Sequence, residues 1–350
     1  MFYYFILTYS IILISGYHTM KMEDIAKSIG VSRVTVSRVI NGHENVSQKT
    51  RNKVLNYIKE IGYQPNLAAR TLSKKKSDII GVICSHAKNI LVSQMLTTLM
   101  SEIGKHGKQT LMLLTEDVST EKAAILLLTR KTVDGLVIFS NFCDTTFLNE
   151  ITLEHKNIVF NGLGPDNALS VRTDHVKGMQ QIITYLCELK HKNIHYLGAP
   201  KEMHIAGHDE RKKGYLASMQ QLGFEPSTSF ANEVDPESGY KETKNILLSK
   251  LPRPTAIVCY NDELAFGAIR AAGELGISVP EQLSITGYDG IDLFKYSQPS
   301  LTTYRLDPDE VGKTLADTLL KQLHSDENIK GDIWVDGELI IGESAGPRHS

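Results

Sequence analysis

The stretch from Met22 to Ser73 constrains this chain more than any other. Glu23 to Ser28 has helical spacing, with Ile25, Ala26 and Ile29 on one face. Gly30 breaks that helix, because glycine tolerates the backbone angles of a tight turn. Val31 fills the turn, and Ser32 is placed to cap the next helix. That helix runs from Arg33 to Ile40, with Val36, Val39 and Ile40 inward and Arg33, Val34, Ser37 and Arg38 outward. Asn41 and Gly42 end it. Ser47 then caps a third helix, Gln48 to Ile61, whose Val54, Leu55, Ile58 and Ile61 are expected to pack on the first two. Helix, four-residue turn with glycine, and second short helix make the helix-turn-helix pattern, whose second helix enters the DNA major groove.

Charge separates this reading from a chance pair of short helices. Residues 20–77 hold twelve Lys/Arg against four Asp/Glu, a net +8. Residues 1–19 carry no such charge, so the rest holds 26 against 36, a net −10. A basic head on an acidic body suits phosphate binding, and the whole-chain charge of −2 hides it. Arg33 and Arg38 each offer a fork for guanine, and Val34 an apolar contact for a thymine methyl.

Three runs of residues carry a resemblance: Val31-Ser32-x-x-Thr35-Val36-Ser37-Arg38-Val39-Ile40-Asn41, Val46-Ser47-x-x-Thr50-Arg51, and Gly62-Tyr63-x-Pro65-Asn66-x-x-Ala69-Arg70-x-Leu72. Together they resemble the lactose/galactose repressor family of bacterial transcription regulators, and the likeness continues to about Glu343. The resemblance implies a homodimer on a palindromic operator in double-stranded DNA. Its DNA-binding positions would be Ser32, Arg33, Val34, Ser37, Arg38, Asn41, Ser47 and Thr50 in a head spanning 20–64. Asn66, Ala69 and Leu72 would act from a hinge spanning 65–77. Leu72 is apolar in a basic linker, followed by Lys74-Lys75-Lys76. By resemblance it is a wedge for a minor-groove base step; the alternative is packing against its dimer partner.

Residues 1–19 are apolar, uncharged and aromatic. They lack the basic start of a signal peptide, and Phe2 to Ile14 is shorter than the roughly 20 residues of a membrane span. Membrane anchor, genuine extension and translated upstream sequence compete. The resemblance favours the last, and no membrane partner is expected.

From Asp78 onward short apolar strands alternate with amphipathic helices, beginning with Ile79 to Ile83, Ser93 to His106 and Thr110 to Leu114. Such alternation means parallel sheets flanked by helices, and there is too much of it for one sheet. The expected architecture is therefore an all-α helix-turn-helix head on an α/β core of two lobes resembling periplasmic sugar-binding proteins. The core would span 78–350, with an N-lobe over about 78–176 and 306–331 and a C-lobe over about 177–305 and 332–350. Asp309 to His324 reads as a helix with Val311, Leu315, Leu319 and Leu323 on one stripe, and Trp334 as a core residue of a C-terminal strand.

Ligands of such folds sit at the carboxyl ends of the strands. There the chain places Asn161 after one strand, Asn261-Asp262 after another, Asp289 within Gly287-Tyr288-Asp289-Gly290, and Arg211 at a helix start. Amides, carboxylates and an arginine suit the hydroxyls of a polyol, though each residue singly could be an ordinary turn former. By resemblance Arg211, Asn261 and Asp289 contact a sugar and Asn161 contacts the effector. Two departures bear on which effector fits. Val234, Asp235 and Pro236 stand where relatives carry an aromatic platform, and Ala87 to Val92 lacks the Asn-Pro-aromatic pattern.

Cys84, Cys143, Cys187 and Cys259 are far apart, with no metal-ligand spacing, and read as reduced thiols. No GxGxxG follows the first strand, and Walker, HExxH and GxSxG motifs are absent. No cofactor, metal or catalytic residue is expected. The reading is a cytoplasmic, nucleoid-associated regulator, most simply a repressor of carbohydrate-utilisation genes, controlled by a sugar or glycoside. The alternative is an exported or membrane-tethered sugar-binding protein.

Overall fold

A computed structural model describes residues 21–40, 45–63, 77–130, 132–139, 142–201, 208–250 and 252–348. The expectations for residues 1–19, Asn41, Asn66, Ala69 and Leu72 lie outside these. The chain divides into two compact units between Ser77 and Asp78.

In the first unit, α1 (Met22–Ile29), α2 (Arg33–Ile40) and α3 (Gln48–Glu60) enclose Ile25, Ala26, Ile29, Val36, Val39 and Val54. Gly30 takes the left-handed conformation at φ 65°, and the Val31 amide closes the turn on the Ala26 carbonyl at 3.0 Å. Ser32 Oγ accepts from the Thr35 amide at 3.0 Å, the cap expected of it. Leu55 departs from expectation. It is 46% exposed, and the inward face of α3 is Val54 with Tyr57, Ile58 and Ile61 partly buried around it. Positions 54, 57, 58 and 61 follow the helical repeat, whereas 55 falls about 100° further round the helix. Ser47 Oγ accepts from the Thr50 amide at 3.3 Å and holds the start of α3. Ser47→Ala is expected to cost this unit about 1 kcal/mol. Amide exchange at Val54 should then lose roughly fivefold in protection; unchanged protection would mean the cap contributes nothing.

The second unit holds two six-stranded sheets of matching design. The first contains β1 (Ile79–Cys84), β2 (Gln109–Leu114), β3 (Gly135–Ile138), β4 (Ile158–Asn161), β5 (Leu169–Arg172) and, from the far end of the chain, β11 (Gly331–Trp334). The second contains β6 (Ile194–Gly198), β7 (Ser227–Phe230), β8 (Ala256–Cys259), β9 (Ser284–Asp289), β10 (Thr302–Arg305) and β12 (Glu338–Ile340). Spatial order is 2-1-3-4-5-11 in one and 7-6-8-9-10-12 in the other. All pairings are parallel except β10 with β12. The helices α4 (Ile90–Lys105), α5 (Val118–Thr129), α6 (Thr145–Glu154), α7 (His175–Glu188), α8 (His208–Gln221), α9 (Pro236–Leu248), α10 (Asp262–Glu274) and α11 (Pro308–His324) form the connections.

Two elements correct the sequence reading. β10 is a strand that the alternating pattern did not single out. Its Thr302 and Thr303 are fully buried because their hydroxyls are bonded, to the Gly342 carbonyl and to Asp262. β11 extends the N-terminal sheet beside β5, with Trp334 opposite Arg172, so the chain stays in that sheet through Trp334. An edge strand is covered on few sides, and Trp334 is 52% exposed rather than a core residue.

α11 lies on α4 in the first lobe, burying Val311, Leu315 and Leu319, with Leu323 packed beside them. Gly312 permits the approach, since a Cβ there would stand 2.6 Å from the Met95 carbonyl. At the start of the unit, Lys108 Nζ bridges Asp134 at 2.9 Å and Asp78 at 3.7 Å.

Candidate functional site

In the first unit the cap Ser32 and, on α2, Arg33, Val34 and Arg38 are exposed to solvent, with Ser37 half-buried between them. Val34 is 58% exposed, an apolar side chain held in water at the second position of the helix. Arg33 is engaged, its Nε 3.2 Å from Glu23 on α1. Ser47 and Thr50 share a hydroxyl contact of 2.9 Å at the start of α3.

In the second unit a cavity of about 70 Å³ lies between the lobes at the carboxyl ends of the strands. The first lobe supplies His86 and Asn89 after β1, Phe139 after β3, Asn161 at the end of β4, and Arg172 with Thr173 at and after β5. Leu91, Val92 and Met95 of α4 and Val311 of α11 add an apolar wall. The second lobe supplies Arg211, Tyr260 after β8 and Asp289 at the end of β9.

Arg211 is the centre of this constellation and is only 4% exposed. It donates to Asp289 Oδ1 at 2.8 Å and to the Tyr260 carbonyl at 2.8 Å, and its guanidinium lies 4.5 Å from the Tyr260 ring and 4.1 Å from the Tyr288 ring. Among the described residues its Nε is buried with no partner. Burial works against the Arg211 charge, but Asp289 and the tyrosines outweigh it and hold the guanidinium above its ordinary value. Burial pushes the Asp289 carboxyl above the usual range, opposed by Arg211. Asp289 also has a φ of 99°, a strained backbone for a non-glycine residue of the kind that collects at ligand sites. Gly290, at φ 68°, follows where a Cβ would meet Arg305 at 2.5 Å.

Of the four effector positions drawn from the sequence, Asn161, Arg211 and Asp289 line the cavity. Asn261 stands behind it. Its Oδ1 caps α10 through the Leu264 amide at 3.0 Å, its Nδ2 donates to Glu263 at 3.3 Å, and it hydrogen-bonds Asp289. Asp262 is a buried brace that accepts from Thr303 at 2.6 Å and from the Ile291 amide at 2.8 Å. Burial raises its carboxyl well above the ordinary value.

Sequence reasoning passed over Arg172, His175, His86 and Asn89. Arg172 ends a strand as Asn161 does, so the same strand-end rule reaches it. Its partners Glu210, Asp332 and Trp334 are distant in sequence. His175 contacts the Tyr288 hydroxyl at 3.0 Å, and burial beside Arg211 and Arg172 drives its imidazole well below the ordinary value, so it is neutral at pH 7. The four cysteines are free thiols, three of them buried. Among the described residues no cluster of His, Cys, Asp or Glu is arranged to hold a metal ion, and no helix is long and apolar enough to cross a membrane.

Comparisons with known proteins match both units. Residues 21–66 match the bacterial regulatory proteins of the lacI family, and residues 183–345 match the periplasmic binding protein-like domain. The chain is 31% identical over 327 residues to the HTH-type transcriptional repressor PurR of Edwardsiella ictaluri (strain 93-146), covering 91% of this chain and 95% of that one. It is 30% identical over 330 residues to the HTH-type transcriptional repressor CytR of Escherichia coli (strain K12), covering 91% and 94%. Among solved structures, the lac repressor dimer bound to operator and the anti-inducer ONPF superimposes with a TM-score of 0.82 at 27% identity, covering 93% of this chain and 99% of that one. These relatives carry the head and the core together, and nothing among them supports the exported or membrane-tethered alternative.

Proposed function

We propose that this chain, which belongs to the lacI family of bacterial regulatory proteins and is a DNA-binding transcriptional repressor, is controlled by a sugar or glycoside held between the lobes of its core. The observation that carries this reading is the Arg211–Asp289 pair facing an inter-lobe cavity at the strand ends. The donors and acceptors of Arg211, Asp289 and Asn161 suit hydroxyls, and the wall of Leu91, Val92 and Met95 suits an apolar substituent. At about 70 Å³ the cavity is smaller than the roughly 300–1,000 Å³ of typical ligand pockets. An occupant of sugar size must part the lobes, so it binds one arrangement of them better than another. A differential affinity of that kind is what lets a ligand shift an equilibrium.

The proposed assembly is a cytoplasmic homodimer without catalytic activity. Two α2 helices enter successive major grooves of a palindrome through Ser32, Arg33, Val34, Ser37, Arg38 and Asn41, with Ser47 and Thr50 on the backbone. Asn66, Ala69 and Leu72 engage the minor groove between them. Effector binding changes the angle between the lobes and, through the hinge, the affinity for DNA. For self-association, edge strand β2 exposes Leu111, Met112 and Leu114, and α4 beside it exposes Met100, an apolar surface suited to a second copy.

The test is fluorescence anisotropy of a labelled palindromic duplex with a central CG step, titrated at fixed salt with sugars and glycosides. Salt-sensitive binding that one compound abolishes is the expected result. Binding that appears only with a compound would reverse the sign of control. Indifference to every compound would remove the effector from the scheme.

A further inference from the structure

Among the described residues, the cations that face the cavity are already neutralised. Arg211 is paired with Asp289 at 2.8 Å. Arg172 is held twice, its Nη1 2.8 Å from Asp332 on β11 and its Nη2 3.0 Å from Glu210 on α8. Two guanidinium groups therefore meet three carboxylates, and His175 beside them is neutral. Helix N-termini, the other common seats for phosphate, are also occupied. Asn89 caps α4 through the Val92 amide at 3.0 Å, Asp174 caps α7 through the Lys177 amide at 2.8 Å, and Asn261 caps α10.

We infer that the cavity takes an uncharged polyol and refuses its phosphate ester, and that Glu210 and Asp332 set this specificity by masking Arg172. The inference rests on reading the cavity as the effector site. Among the described residues a dianionic phosphate entering here finds no unpaired cation and must approach carboxylates on both lobes, and like charges brought together in a partly buried site repel. A hydroxyl has no such conflict, because it can donate to a carboxylate and accept from the same guanidinium. Arg172 is the residue at which this selectivity is set. It lines the cavity, it is half-buried, and its two partners come from opposite lobes, so its charge is masked whenever the lobes hold this arrangement.

The specificity can be tested with matched pairs on the full chain: glucose with glucose 6-phosphate, galactose with galactose 1-phosphate, ribose with ribose 5-phosphate. Binding is read by calorimetry and by the emission of Trp334, the single tryptophan, whose ring lies 4.7 Å from the Arg172 guanidinium. The wild-type chain should bind one neutral member at least about tenfold more tightly than its ester. The double variant Glu210→Gln/Asp332→Asn exposes the Arg172 charge without changing side-chain volume, and should close that gap by about tenfold through tighter binding of the ester. Each single variant should give a part of the change, which keeps the test decisive if the double variant folds poorly. A wild-type preference for an ester, or a ratio of affinities unmoved by either variant, would overturn the inference. Wild-type protein that binds neither member of any pair would overturn the effector-site reading itself, and this specificity with it.

Discussion

Replacing Arg211 by leucine is expected to cost the core about 3–5 kcal/mol and to abolish its response to effector. The pair with Asp289 is almost fully removed from water, at 4% and 3% exposure. Removing one partner strands the other, and the cost is mostly the uncompensated carboxylate rather than the lost attraction. Asp289 responds by binding a proton, because burial already pushes its carboxyl up and Arg211 is what holds it down. Loss of the guanidinium also takes a donor from the Tyr260 carbonyl and a cation from the Tyr260 and Tyr288 rings. Urea unfolding of Arg211→Leu, Asp289→Leu and the double variant separates these effects. The double variant should be more stable than the sum of the single losses predicts, by a coupling of about 1–3 kcal/mol. Additive losses would mean that the two residues act independently, and the central premise of the cavity would go with them.

The head was legible because its signals are local. Gly30, Ser32 and Ser47 each act on backbone within four residues, so turn, cap and helix start follow from neighbouring letters. Leu55 was misplaced for a related reason. It is adjacent to buried Val54, and only the angular position on the helix separates a buried leucine from one that is 46% exposed.

The cavity was half legible. Asn161, Arg211 and Asp289 stand at strand and helix ends, where a positional rule finds them. Arg172 meets Asp332 and Trp334 only because β11 pairs with β5, and that register is a tertiary fact with some 160 residues between the partners. The apolar wall was invisible for the opposite reason, since Leu91, Val92 and Met95 have the spacing of any helix that faces a core. Asn261 followed the strand-end rule but serves as a cap, the ordinary role of an amide at that position.

Replacing Arg38 by alanine is expected to relax base preference at one position of the operator by about 1–3 kcal/mol, roughly 5- to 150-fold. Arg38 and Arg33 are both exposed on α2, but they start from different states. Arg33 is joined to Glu23 at 3.2 Å and must exchange that carboxylate for a base or phosphate, which sets about 0–1 kcal/mol of ion pairing against whatever it gains. Arg38 lies in the last turn of the same helix, beyond the reach of that pair. The measurement is a set of duplexes with each base pair changed singly, bound at one salt concentration by wild type, Arg38→Ala, Arg33→Ala and Glu23→Gln. A readout of guanine by Arg38 predicts a loss confined to one base pair in each half-site, with the wild-type preference there disappearing. An equal loss on every duplex, together with a salt dependence shallower by about one counterion, would instead assign Arg38 to a phosphate. Glu23→Gln supplies the internal control. Freeing Arg33 should raise affinity for all sequences alike if that arginine meets the backbone, and for one base pair only if it reads a base.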